Sequence, residues 1–236
     1  MTAGSKLQAL LAATALAAVP LAAGAAGDAQ APDQNLRIQH HVLSIGKDGV
    51  QRESRYADRM FRRAGTVWIE RELPAALRAD HEHEARDAKV HIGHAHADNT
   101  AAPLWLRRDA TGKVEVGMVL RAQRKVIEVD AANYGNVGYG GSWAHAYWLV
   151  DPAVLPRMKS LGAAGPGVQR YEQQQGESTV RIDWDVAGRY ARRIEQRNAH
   201  GTSFNTMTVA PIAAPKTLPW QTAEAYERGD YSDLLD

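Results

Sequence analysis

Histidine is concentrated in one short stretch of this 236-residue chain: His81, His83, His91, His94 and His96 fall within sixteen positions and make up five of its nine histidines. Glu82, Glu84, Asp87 and Asp98 are interleaved with them. Neutral imidazole is the usual nitrogen ligand for Zn, Cu and Ni, and it needs no protection from oxidation as a thiolate would. In extended backbone, side chains two apart point to one side, so His81 with His83 and His94 with His96 can each grip an ion. Two such pairs facing each other supply four ligands, and a nearby carboxylate can fix a ring by accepting its other N–H. The candidate metal set is therefore His81, His83, His91, His94, His96 and Asp98, with Zn or Cu as the ion. The competing reading is a solvated loop over residues 79–100, because the segment is polar, follows Pro74 and separates two strand-rich stretches. Histidine tracts bind transition metals in vitro whatever their purpose.

Within the cluster, His94-Ala95-His96-Ala97-Asp98-Asn99 resembles the HxHxDH signature of the metallo-β-lactamase superfamily, which implies a zinc hydrolase as a third functional reading. The pattern departs at its last ligand, where Asn99 stands in place of His, and that family's layered αββα fold requires more helix than this sequence offers. Gly140-Gly141-Ser142-Trp143-Ala144 resembles the GxSxG nucleophile elbow, with Ala144 for the second Gly. An elbow needs Ser between a strand and a helix, whereas Ser142 is expected to precede a strand. The glycine-rich run Gly135–Gly141 lacks GxGxxG spacing and reads as a turn or a site of close backbone packing. Catalysis would require two or more of His145, Asp183, His200 and the clustered histidines to converge. His40 and His41 are adjacent on a strand and face opposite ways, so at most one of them joins a site.

The elements that must position these groups read as strands. Leu36–Ile45, Val50–Arg62 and Thr66–Leu73 are separated by Lys47-Asp48-Gly49 and Arg63-Ala64-Gly65, which mark consecutive hairpins. After residue 100 the pattern resumes with Leu104–Arg108, Val114–Leu120 and Val126–Val129. Trp143–Val150 is expected to be a further strand, followed by Val168–Gln173, Thr179–Trp184, Tyr190–Asn198 and Thr202–Val209. Val114, Val116 and Met118 alternate with Lys113, Glu115 and Gly117, so one face is buried and the other wet. The run from Tyr190 alternates less cleanly and is expected at an edge or over a polar interior. Helix signals are few: Asp151-Pro152 opens a short helix towards Ser160, and Trp220–Leu235 holds a short terminal one. The fold class is thus mainly β, an antiparallel meander of about ten strands forming a curved sheet or open half-barrel, with one or two short helices.

The N-terminus points to export. Lys6 precedes an apolar run of 17 residues from Leu7 to Ala23, and Ala23-Gly24-Ala25 supplies a small-x-small cleavage pattern. Pro20 interrupts the run, which falls short of the roughly 20 residues needed to span a bilayer. The organisation expected is a signal peptide at 1–25, a flexible mature N-terminus at 26–35, a β domain at 36–212 carrying the His-rich loop at 79–100, and a C-terminal tail at 213–236. No Cys is present, so lipid attachment at the cleavage point is excluded and stability comes from packing without disulfides. A net charge of +1 is no nucleic-acid footprint. A periplasmic protein with no membrane span after cleavage is expected.

Trp143, Tyr147 and Trp148, with Trp68, Trp105 and Trp184, read as core and rim of the sheet; in an open barrel they can also wall an apolar ligand. An apolar run at the N-terminus, about 210 residues after it and a strand-rich chain forming a curved sheet resemble the LolA and LolB half-barrels. That resemblance implies a periplasmic carrier or sensor of an apolar ligand or lipoprotein. The sequence therefore leads to an exported binding protein, with a transition metal at the His-rich loop as the first reading. The apolar carrier is the second, and an envelope protein is a further candidate partner.

Overall fold

The structure is a computed structural model that describes residues 31–73 and 102–234. Its strands are β1 (Gln34–Ile45), β2 (Gln51–Arg63), β3 (Thr66–Arg71), β4 (Leu104–Arg108), β5 (Val114–Leu120), β6 (Lys125–Val129), β7 (Lys159–Gly165), β8 (Val168–Gln175), β9 (Ser178–Asp185), β10 (Tyr190–Asn198), β11 (Ser203–Pro211) and β12 (Glu227–Asp230). They form one sheet in the order β12-β6-β5-β4-β3-β2-β1-β11-β10-β9-β8-β7. Every pairing is antiparallel except that of β12 with β6. Two meanders, β1–β6 and β7–β11, are joined where β1 pairs with β11 from Leu36 opposite Pro211 to Ser44 opposite Ser203. The edge strands β12 and β7 do not meet, so the sheet is open, as the alternation and turn signals anticipate.

Local chemistry sets the hairpins. At the β2–β3 turn Gly65 has φ 65°, a left-handed conformation that glycine adopts without a Cβ penalty, and its carbonyl accepts from Arg108 N at 2.8 Å. Asp109 Oδ1 accepts from Thr111 N at 2.8 Å and from Lys113 N at 3.0 Å, closing the β4–β5 turn as an Asx motif.

Two expectations are corrected, and the two short helical segments expected are present. Trp143–Val150 is not a strand: Trp143–Trp148 is a helix, α1, capped by Ser142, whose Oγ accepts from His145 N at 3.3 Å. Its aromatics suit strands by propensity, but Trp143 and Tyr147 lie four apart on one helix face and both are buried. Strand β10 is not at an edge, since it pairs with both β9 and β11; its charged residues alternate outward. The helix opened by Asp151-Pro152 is a 3-10 turn over Pro152–Arg157, with β7 following it. The terminal segment holds only a one-turn helix, α2 (Pro219–Ala223), before β12 and a 3-10 turn at Tyr231–Leu234. No helix among the described residues is long and apolar enough to cross a membrane.

The segment between β6 and β7, residues 130–158, packs across one face of the sheet, here called inner. Its Trp143, Tyr147, Trp148, Leu155 and Met158 join one core with Leu36, Ile38, Met60, Leu106, Met118 and Ile127. Burying such side chains stabilises the fold by about 1.5–3 kcal/mol each. Among the described residues the opposite, outer face is covered only locally, where Ala223 and its neighbours pack on Phe61, Trp68, Trp105, Val119 and Val126.

Arg62 ties the insert down. It is 0% exposed and donates from Nη1 to the carbonyls of Tyr147 and Arg189, each at 3.2 Å, and from Nη2 to those of Pro32 at 3.2 Å and Gly188 at 3.3 Å. Its guanidinium also lies 5.0 Å from the Tyr147 ring centre and 4.7 Å from that of Trp148. One side chain of β2 thereby links the N-terminal segment, α1 and the β9–β10 turn.

Candidate ligand-binding face

The two faces of the β1, β2 and β8–β11 region differ in chemistry because side chains alternate along each strand. The outer face is a lattice of ion pairs: Arg37 with Glu72 at 2.8 Å, Arg170 with Asp183 at 2.6 Å, Arg181 with Glu172 at 2.6 Å and Arg193 with Glu195 at 2.5 Å. Pairs this exposed add about 0–1 kcal/mol each, and they mark the face that meets water.

The inner face grades from dry to wet. Nearest the insert, Leu36, Ile38 and Val209 are buried. The next row crosses six strands in register, Tyr56, His40, Met207, Ile194, Ile182 and Tyr171. Of these only Ile182 is buried; Met207, Ile194 and Tyr171 are half-buried. Beyond it Ser54, Asn205, Gln196 and Gln173 form a polar rim, interrupted by half-buried Val42 and Val180. At a strand spacing of about 4.8 Å the middle row runs about 24 Å, the length of an extended long acyl chain. The described residues thus leave a strip of apolar floor incompletely covered between a packed core and a polar margin.

One end of the strip is charged. His40 Nε2 lies 3.0 Å from Asp58 Oδ2, poorly aligned for a hydrogen bond, and the His40 and Tyr56 rings stack at 4.4 Å. Arg71 donates from Nε to Asp58 Oδ1 at 2.5 Å and lies 3.9 Å from the Tyr56 ring centre. Burial by itself pushes the Asp58 carboxyl up, but the close approach of His40 and the hydrogen bond and charge of Arg71 outweigh it and hold the group below its ordinary 3.8. A carboxyl depressed in the folded state adds stability above its unfolded value and loses it as pH falls through the folded one. Unfolding midpoints in urea should therefore drop on acidification below about pH 4, and Asp58→Asn should flatten that dependence. An unchanged acid limb in the variant would contradict the assignment.

The candidate residues distribute as follows. His81, His83, His91, His94, His96 and Asp98 lie outside the described residues; among the described ones no group of three His, Asp or Glu is placed to hold a metal. His40 faces inward and His41 outward, where it meets Glu53 at 2.8 Å, so only His40 adjoins the strip. His145 sits on α1, Asp183 is held by Arg170, and His200 on the β10–β11 turn is 3.4 Å from Glu177 on the β8–β9 turn. None of these three bonds to another, and Ser142 serves as a helix cap. Tyr56, Asp58, Arg71, Ile194 and Met207 went unmarked in the sequence, because only the pairing register reveals that they share a surface.

No protein-family model matches the chain, and no curated protein matches it either. Solved structures resemble it at low identity. An uncharacterized conserved protein from Thermus thermophilus is 10% identical with a TM-score of 0.39, the match covering 82% of this chain and 90% of that one. A LolA-superfamily protein from Nitrosomonas europaea is 9% identical with a TM-score of 0.33, over 84% and 93%. A DUF1329-family protein from Desulfovibrio piger is 10% identical with a TM-score of 0.34, over 85% and 94%. At these scores the assignment of fold and site rests on the chain's own geometry.

Proposed function

We propose that the protein is an exported carrier or sensor that holds an apolar chain, of the kind found on lipids and lipid-modified proteins, along the inner face of its open sheet. The observation that carries this reading is the half-buried row of Met207, Ile194 and Tyr171 between a packed core and a polar rim, on a sheet whose other face is ionic. Apolar ligands are held by such floors through area removed from water, with a few polar groups fixing orientation. His40, Tyr56 and Arg71 stand at the end where a polar head would lie. Export follows from the N-terminal apolar run read in the sequence.

A photoreactive fatty acid offered to the exported chain tests this. Labelling should concentrate on the strands carrying Tyr171, Ile194 and Met207; labelling confined to the outer face or absent would overturn the reading. The His-rich segment supports a second, separate proposal, a Zn or Cu site at His94, His96 and their neighbours. Titration of untagged protein should then show tight one-to-one binding that His94→Ala with His96→Ala removes without unfolding the domain, and binding no tighter than micromolar would refute it.

A further inference from the structure

The end of the inner strip at β2 and β3 is built differently from its apolar floor. Arg71 and Asp58 stand opposite each other across these strands, and Tyr56, two residues from Asp58, shares their face. The Asp58 side chain is only 13% exposed. Its Oδ1 accepts from Arg71 Nε at 2.5 Å, and its Oδ2 lies 3.0 Å from His40 Nε2. The Arg71 guanidinium is also 3.9 Å from the Tyr56 ring centre, a cation–π distance. Arg71 is thus fixed by a carboxylate and by a ring, yet its side chain remains 41% exposed.

Most of this fork is unused. Among the described residues Arg71 donates only from Nε, so the N–H groups of both Nη atoms are left for water or a ligand. Its chain neighbours Glu70 and Glu72 alternate to the outer face, where they pair with Arg59 and Arg37. Asp58 is therefore the one carboxylate on the inner side of β1, β2 and β3. Because that carboxyl is held below its ordinary value, it stays ionised at neutral pH and keeps Arg71 in place. The strip itself is a single residue row, with the next row on either side about 7 Å away along the strands, a width for one acyl chain.

Resting on the carrier reading above, we propose that the occupant is a single-chain amphiphile with an anionic oxygen head, a carboxylate or a phosphate. The free edge of the Arg71 guanidinium holds the head while the chain lies along Met207, Ile194 and Tyr171. A planar fork matches two oxygens of such a head through hydrogen bonds strengthened by charge. Asp58 and Tyr56 fix the fork before the ligand arrives, so less side-chain freedom is lost on binding. A neutral hydroxyl or ester head gains nothing from the cation.

Decanoate, decyl phosphate and decanol are the probes, titrated calorimetrically into the protein below their micellar concentrations. One of the two anions, or both, should bind about tenfold more tightly than decanol, at one ligand per protein, and the tighter anion identifies the head as carboxylate or phosphate. Inorganic phosphate, which has no chain, should displace neither. Arg71→Gln should erase the advantage of the anions while decanol binds as before, which also reports that the variant is folded. Arg71→Lys should restore it only in part, because an ammonium lacks the fork. Equal affinity for anions and decanol, an advantage that survives Arg71→Gln, or two ligands per protein would overturn the proposal and leave the apolar strip standing. Failure of decanol and both anions to bind would overturn the strip as well.

Discussion

Arg62→Leu lowers the stability of the chain by about 3–5 kcal/mol, read as the shift in urea midpoint at constant slope. The side chain is fully buried and donates to four carbonyls from three separate segments. Its removal leaves acceptors unpaired in a medium where each costs about 1–3 kcal/mol, and it also removes the cation from the faces of Tyr147 and Trp148. Arg62→Lys should recover little, because an ammonium lacks the planar fork that reaches several carbonyls at once. A loss below about 1 kcal/mol, the range of ordinary surface changes, would show that the insert is held by its aromatic contacts alone. The variant should also expose the inner face more, so an apolar dye should bind it more strongly at temperatures where it remains folded.

The second large effect is on binding. Ile194→Glu places a carboxylate in the centre of the half-buried row, where an occupying chain would strip it of water, a cost of several kcal/mol for an unpaired charge. Affinity for a long fatty acid should fall by at least about a hundredfold. Stability should change little, because the side chain can still reach the polar rim. The control is Thr208→Glu: Thr208 is exposed and lies on the outer side of the neighbouring strand, opposite Arg193, so the same charge should leave binding unchanged. Equal effects from the two substitutions would place the ligand elsewhere.

The fold class was legible because hairpin signals are local. Asp48-Gly49, Gly65 and the Asp109–Gly112 turn announce themselves, and strand alternation such as Val114, Val116 and Met118 follows from one buried face. Other features were set by partners distant in sequence. Glu227–Asp230 has no strand pattern and becomes β12 through parallel pairing with β6. Trp143–Trp148 is helical because Ser142 caps it and its aromatics pack onto the sheet, a tertiary outcome that overrides β propensity. Arg62 cannot be told from outward-facing Arg59 by type alone; only the register places it on the inner face.

The candidate site was legible in part. The aromatic residues expected as core and rim are buried, and His40 and His41 take opposite faces. The strip itself depends on which residues of β1, β11, β10, β9 and β8 stand side by side, and pairing between strands so far apart leaves no short-range signal. The most conspicuous chemistry in the sequence, the histidine cluster, lies outside the described residues, whereas the surface that carries the functional proposal is built from residues as unassuming as Met207 and Ile194.

Calorimetric titration of the protein with a long-chain fatty acid at several temperatures tests the central claim most directly. Occupation of the inner strip predicts saturable one-to-one binding with a clearly negative heat-capacity change, the mark of apolar area leaving water, and its loss in Ile194→Glu. No saturable heat, or binding with a heat-capacity change near zero, would contradict it.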